Sequence, residues 1–125
     1  MNYYWLAASF FTVLLSMGHS WMGERHFLPR LFKHEYPENL EIDEHVNRST
    51  RTAWHLTTLG WLNMAAILLI VAIHPDDPIA ILVMRVTGAF CLVSGIYSLV
   101  GSRGRHLLGL IFLLISLLIL LGDLF

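Results

Sequence analysis

Cysteine is nearly absent: the 125 residues contain one, Cys91, which excludes an internal disulfide and a thiolate zinc site. Charge is scarce too. Asp, Glu, Lys and Arg make up 14% of the chain, and the formal net charge of −1 leaves no basic field for nucleic acid. No basic residue precedes the first apolar run and Gly18 to Arg25 does not read as a cleavage site, so that run is expected to be a span, not a removable signal. Internal repeats and low-complexity tracts are also missing.

Apolar surface is what the chain has in abundance. Hydrophobic residues account for 56% and the mean hydropathy is +0.63, more than a soluble domain of this size needs. Four stretches, 3–22, 52–73, 79–100 and 107–121, approach or exceed the roughly 20 apolar residues that cross a bilayer core of about 30 Å. His74-Pro75-Asp76-Asp77-Pro78 between the second and third stretches suits a tight turn and a capped restart, so these two helices are expected to pack as an antiparallel hairpin. Gly101-Ser102-Arg103-Gly104-Arg105 joins the third to the fourth as closely. The expected fold class is all-α: an integral membrane, up-down four-helix bundle forming a single transmembrane domain over 1–125.

The loop 25–51 is long and polar. Leu28, Leu31 and Phe32 are spaced as a short amphipathic segment, and from Leu40 the pattern is helical, with Glu41/His45 and Glu44/Arg48 four residues apart. Arg25, Arg30, Lys33, Arg48, Arg51, Arg103 and Arg105 all fall on the side reached by the end of the first span. Arg85 alone does not. The positive-inside rule therefore puts both basic loops in the cytoplasm and both termini on the outer side, beside the His74 to Pro78 turn.

This threading gathers His19 and Glu24 from the first helix, His55 from the second and His106 from the fourth at one depth. Ionisable groups at the membrane boundary are costly unless partnered or functional. Imidazole and carboxylate together suit zinc, iron or manganese, so His19, Glu24, His55 and His106 form a candidate metal site. Haem b is the variant in which two of His19, His55 and His106 serve as axial ligands, with Trp21, Trp54, Trp61 and Tyr97 as pocket walls. In an unbroken helix Glu24 points about 140° away from His19. Gly23 is expected to relieve this by ending the helix, or Glu24 to act as the acceptor that orients a ligand histidine. His26 shares the face of Glu24 and competes as a ligand. The plainer alternative is that these histidines, like interfacial tryptophans and arginines, bond headgroups and loop carbonyls.

Outside this cluster, Arg85 is expected to pair with Asp76, Asp77 or Asp123, and Asn63 to hydrogen-bond across the bundle to Thr87 or a serine. Gly88, Cys91 and Gly95 form a stripe that lets a neighbouring helix approach within the bundle.

With Gly18-His19-Ser20-Trp21-Met22-Gly23-Glu24, Trp54-His55, Trp61 and Gly104-Arg105-His106 in place, most of the chain resembles a family of small four-span bacterial inner-membrane proteins of uncharacterised activity. The resemblance implies the topology above and a role for these His and Glu positions; it implies no reaction or substrate. The leading functional expectation is a metal or haem site near the cytoplasmic face serving redox chemistry, metal handling or sensing, with Glu24 as the base if the site is enzymatic. Two others stand beside it: an accessory subunit of a larger membrane complex, contacted through the loop from Lys33 to Arg48, and a small oligomeric transporter lined by Arg85 and Asn63.

Overall fold

The computed structural model describes residues 1–32, 40–105 and 107–125, with the side chains of 40–43 outside the description. Its described residues are helical and contain no strand. Helix α1 runs Tyr3–Met22, continues through a π-helical turn Gly23–Phe27 and ends in the short α2, Leu28–Leu31. Three long helices follow: α3 Leu40–Ile73, α4 Pro78–Gly101 and α5 Leu107–Leu124. Segments Glu44–Ile73, Pro78–Gly101 and Leu107–Leu124 are long and apolar enough to cross a membrane. Helix α1 has spanning length, about 30 Å for its 20 residues. It is less apolar because its buried side carries hydroxyls and an imidazole.

That side is a seam. Asn2, Trp5, Ser9, Thr12, Ser16 and His19 follow one another in steps of three and four, and Trp5 through His19 are buried. The seam lies central because α1 packs along both α3 and α5. Small hydroxyl residues permit close approach there, and a buried hydroxyl needs an acceptor. Ser9 donates to the Ala65 carbonyl across the α1–α3 contact at 2.8 Å, whereas Thr12 and Ser16 donate back along α1 to Ala8 and Thr12.

Up-down threading is fixed at the end where the chain begins and finishes. Asn2 caps α1 by accepting from the Tyr4 and Trp5 amides, while its own backbone amide donates to Ala72 and its side chain to Gly122. Trp5 donates its indole N–H to Ile119. Arg85 forms a two-pronged pair with Asp123, at 2.9 and 3.3 Å, choosing that carboxylate from the three the sequence offered. Asp77 caps α4.

Two expectations need correction. Although α3 and α4 are joined by a tight turn, they barely touch; each packs on an inner helix, giving the lateral order α3, α1, α5, α4. A short turn fixes proximity at one end only, and the polar seam of α1 draws α3 to itself. Asn63 does not bond across the bundle either. It is exposed, and Thr87 gives its hydroxyl to the Val83 carbonyl of its own helix.

The glycine stripe on α4 does face a neighbour in the chain. A Cβ on Gly95 would lie 2.8 Å from Leu113 and 3.0 Å from the Gly109 carbonyl, and one on Gly109 would lie 2.7 Å from Leu99. Backbones therefore meet directly at the α4–α5 crossing. Gly95→Val is expected to destabilise the fold by about 1–3 kcal/mol through overpacking, read as a lower denaturation midpoint in micelles; the exposed Gly101, whose Cβ would meet nothing, serves as the neutral comparison.

Candidate functional site

At the opposite end, where the basic residues collect, α1 and α3 place a cluster of polar and aromatic side chains against each other. Ser20 and Glu24 are four residues apart and so share a helix face. His55 of α3 sits across both: Ser20 Oγ lies 3.0 Å from His55 Nδ1, and His55 Nε2 lies 2.8 Å from Glu24 Oε1. Arg51, one turn before His55, places its Nε 3.2 Å from that same carboxylate oxygen. The helix does not end at Gly23; it widens into the π turn, and Glu24 becomes an acceptor for His55. Wide π turns of this kind are frequent at functional sites.

Hydrogen-bond chemistry gives the chain of contacts a direction. An ionised carboxylate only accepts, and a neutral imidazole has one N–H and one bare nitrogen. With an ionised carboxylate and a neutral ring, the arrangement that satisfies both contacts puts the ring proton on Nε2 and lets Nδ1 accept from the Ser20 hydroxyl. The Arg51 guanidinium pairs with the Glu24 carboxylate at 3.2 Å. Glu24 and Arg51 are both substantially exposed, at 41% and 53%, so their pairing is worth at most about 1 kcal/mol of stability. Its main consequence is orientation.

His19 occupies a drier place beside this chain. It is 6% exposed, its Nδ1 lies 3.0 Å from the Thr58 hydroxyl, and its ring stacks on Trp54 with centroids 4.2 Å apart and planes 4° from parallel. Trp61 meets the same ring edge-on at 4.6 Å. Phe27, delivered by the π turn, also stacks on Trp54, at 4.8 Å. The Trp54 indole N–H donates to the His19 carbonyl at 3.0 Å, directly over Gly23. Gly23 matters for want of a side chain: a Cβ there would sit 2.0 Å from the indole nitrogen.

The structure thus brings His19, Glu24 and His55 to one end of the α1–α3 pair but gives them separate partners. His106 lies outside the described residues. Among those described, no three His, Cys, Asp or Glu side chains are placed to hold one metal ion. His26 turns away to meet Trp21 edge-on at 5.7 Å. Of the four proposed haem walls, Trp54 and Trp61 do line His19, whereas Trp21 and Tyr97 face outward, 60% and 80% exposed. Charge also opposes a cation: a metal on Glu24 Oε1 and His55 Nε2 would compete with the Arg51 guanidinium already on that oxygen.

Ser20, Thr58 and Arg51 are participants that sequence reasoning missed. Their signal was positional: Ser20 stands four residues before Glu24, while Arg51, His55 and Thr58 follow one another at steps of four and three on α3. No protein-family model, curated protein or solved structure matches this chain.

Proposed function

We propose that this is a four-span bacterial inner-membrane protein with an acid–base centre at its cytoplasmic face. Bilayer residence is supported by the three apolar helices of spanning length and by a surface of exposed Leu, Ile, Val and Phe far larger than a soluble monomer carries. Helix α1 completes the fourth span with its polar seam turned inward. The orientation rests on the arginines and lysine gathered at the end bearing the cluster, with both termini periplasmic.

One observation carries the chemical reading: both nitrogens of His55 are engaged, one by a hydroxyl and the other by a carboxylate. A ring so held takes a proton from Ser20, or from a substrate hydroxyl in its place, while Glu24 stabilises the imidazolium that forms. The ring is partly exposed, so a molecule arriving from the headgroup layer can reach it. The substrate class that fits is an amphiphile with an electrophilic or ionisable group near its polar end.

The rival is metal or haem binding by His19, Glu24, His55 and His106, and a single experiment separates the two. Protein in lipid nanodiscs is treated with a fluorophosphonate, a hydroxyl-directed electrophile, then mapped by mass spectrometry and assayed for metal and for a Soret band. Modification at Ser20, lost in Ser20→Ala, is the expected result. An unmodified Ser20 with about one equivalent of metal or haem would replace the acid–base reading by the metal one. An unmodified Ser20 without either would leave the cluster as an interhelical clamp.

A further inference from the structure

Asn63 stands near the midpoint of the apolar part of α3, about 14 Å from the interfacial Trp54 level and about 15 Å from Ile73 at 1.5 Å per residue. In a bilayer that is where an unsatisfied amide is least tolerable. Among the described residues Asn63 has no hydrogen-bond partner, and its side is exposed. At 100° per residue it lies half a turn around α3 from Ala72, which is fully buried against the rest of the chain. No rotamer brings it back to the bundle.

The residues around Asn63 are ordered. Ala53, Leu56, Gly60, Asn63, Ile67 and Ile70 follow in alternating steps of three and four, all exposed, and the same register continues back to exposed Val46. This is the spacing of a left-handed helix-pairing seam, in which one Asn sets register. Gly60 has no explanation inside the chain, because a Cβ there would meet nothing. A glycine one turn from the amide lets a second backbone come close enough for that amide to reach it.

We infer that α3 pairs with α3 of a second copy, the two Asn63 amides hydrogen-bonding across a two-fold axis normal to the membrane. The occupant follows from the chemistry of the row. Copies inserted in one orientation present parallel α3 helices, so each Asn63 meets Asn63, and an amide both donates and accepts. Lipid tails offer neither. The inference rests on bilayer placement but not on the acid–base reading, since Asn63 lies on the face of α3 opposite the contacts with α1.

Energy transfer between donor- and acceptor-labelled copies in liposomes, followed against the protein-to-lipid ratio, tests it. Wild type is expected to form dimers, Asn63→Leu to dissociate about tenfold more readily, and Gly60→Ile to do the same by blocking approach. Asn63→Gln should restore much of the association. Val86→Ala, on the exposed side of α4, should leave it unchanged, with helix content by circular dichroism confirming that each variant folds. A monomeric wild type, a larger oligomer, or a dimer indifferent to both α3 substitutions would overturn the inference.

Discussion

Substituting His55 by alanine is expected to slow modification of Ser20 by a fluorophosphonate by about 100-fold or more, the usual scale of a lost general base. The helices should remain intact. Ser20 loses the imidazole 3.0 Å away that the proposed reaction uses as its base, and Glu24 loses that ring but keeps Arg51 at 3.2 Å. Because this corner is partly exposed, water replaces the ring at modest cost to stability, so reactivity and folding separate cleanly. Glu24→Gln provides the intermediate case: an amide in that position can present either a carbonyl or an N–H to the ring, so the proton is no longer confined to Nε2. Its rate should fall between wild type and His55→Ala.

The largest structural effect is expected from Gly23→Val. Even one added carbon at position 23 would fall 2.0 Å from the Trp54 indole nitrogen, and the indole is held by stacking on both His19 and Phe27. Trp54 would have to leave that stack, giving up its hydrogen bond to the His19 carbonyl. Overpacking costs about 1–3 kcal/mol, and the lost interhelical hydrogen bond adds about 1 kcal/mol. Chemical denaturation in micelles should show a loss of about 2–4 kcal/mol, with tryptophan emission shifted to the red in the folded state. The substitution should also slow Ser20 modification, since Ser20 and Glu24 flank the displaced turn.

Helix number and order were legible from hydropathy because the apolar runs are long and the last three are parted by short turns rich in Pro and Asp or in Gly. The lateral order was not. Loop length says which helices are joined, whereas packing depends on which faces are small or polar, and on α1 that information lay in the three-and-four spacing of Ser9, Thr12, Ser16 and His19. The same distinction explains Arg85 and Asn63. Arg85 found Asp123 because long side chains reach along a helix end; Asn63 missed Thr87 because α3 and α4 diverge.

The candidate site was half legible. Convergence of His19, His55 and Glu24 at the basic end follows from topology alone, as does the need for a local change at Gly23. Hidden was the division of labour. Whether two histidines share an ion or take separate hydroxyl partners depends on side-chain rotation and on the indole of Trp54 stacked against His19, neither of which spacing encodes. Of the segment from Lys33 to Arg48 that was expected to meet a partner, residues 33–39 lie outside the described residues and 40–48 belong to α3. Within it, Glu44 and Arg48 form the expected four-residue ion pair.

The position of the ring proton on His55 can be observed directly. Protein labelled with nitrogen-15 at histidine, in nanodiscs near neutral pH, would be examined by NMR, with His55→Gln assigning the resonances. The expected spectrum has His55 Nε2 protonated and Nδ1 bare, with that preference lost in Glu24→Gln. A ring protonated on Nδ1, or one whose nitrogens change on adding a metal chelator, would contradict the Ser20–His55–Glu24 relay.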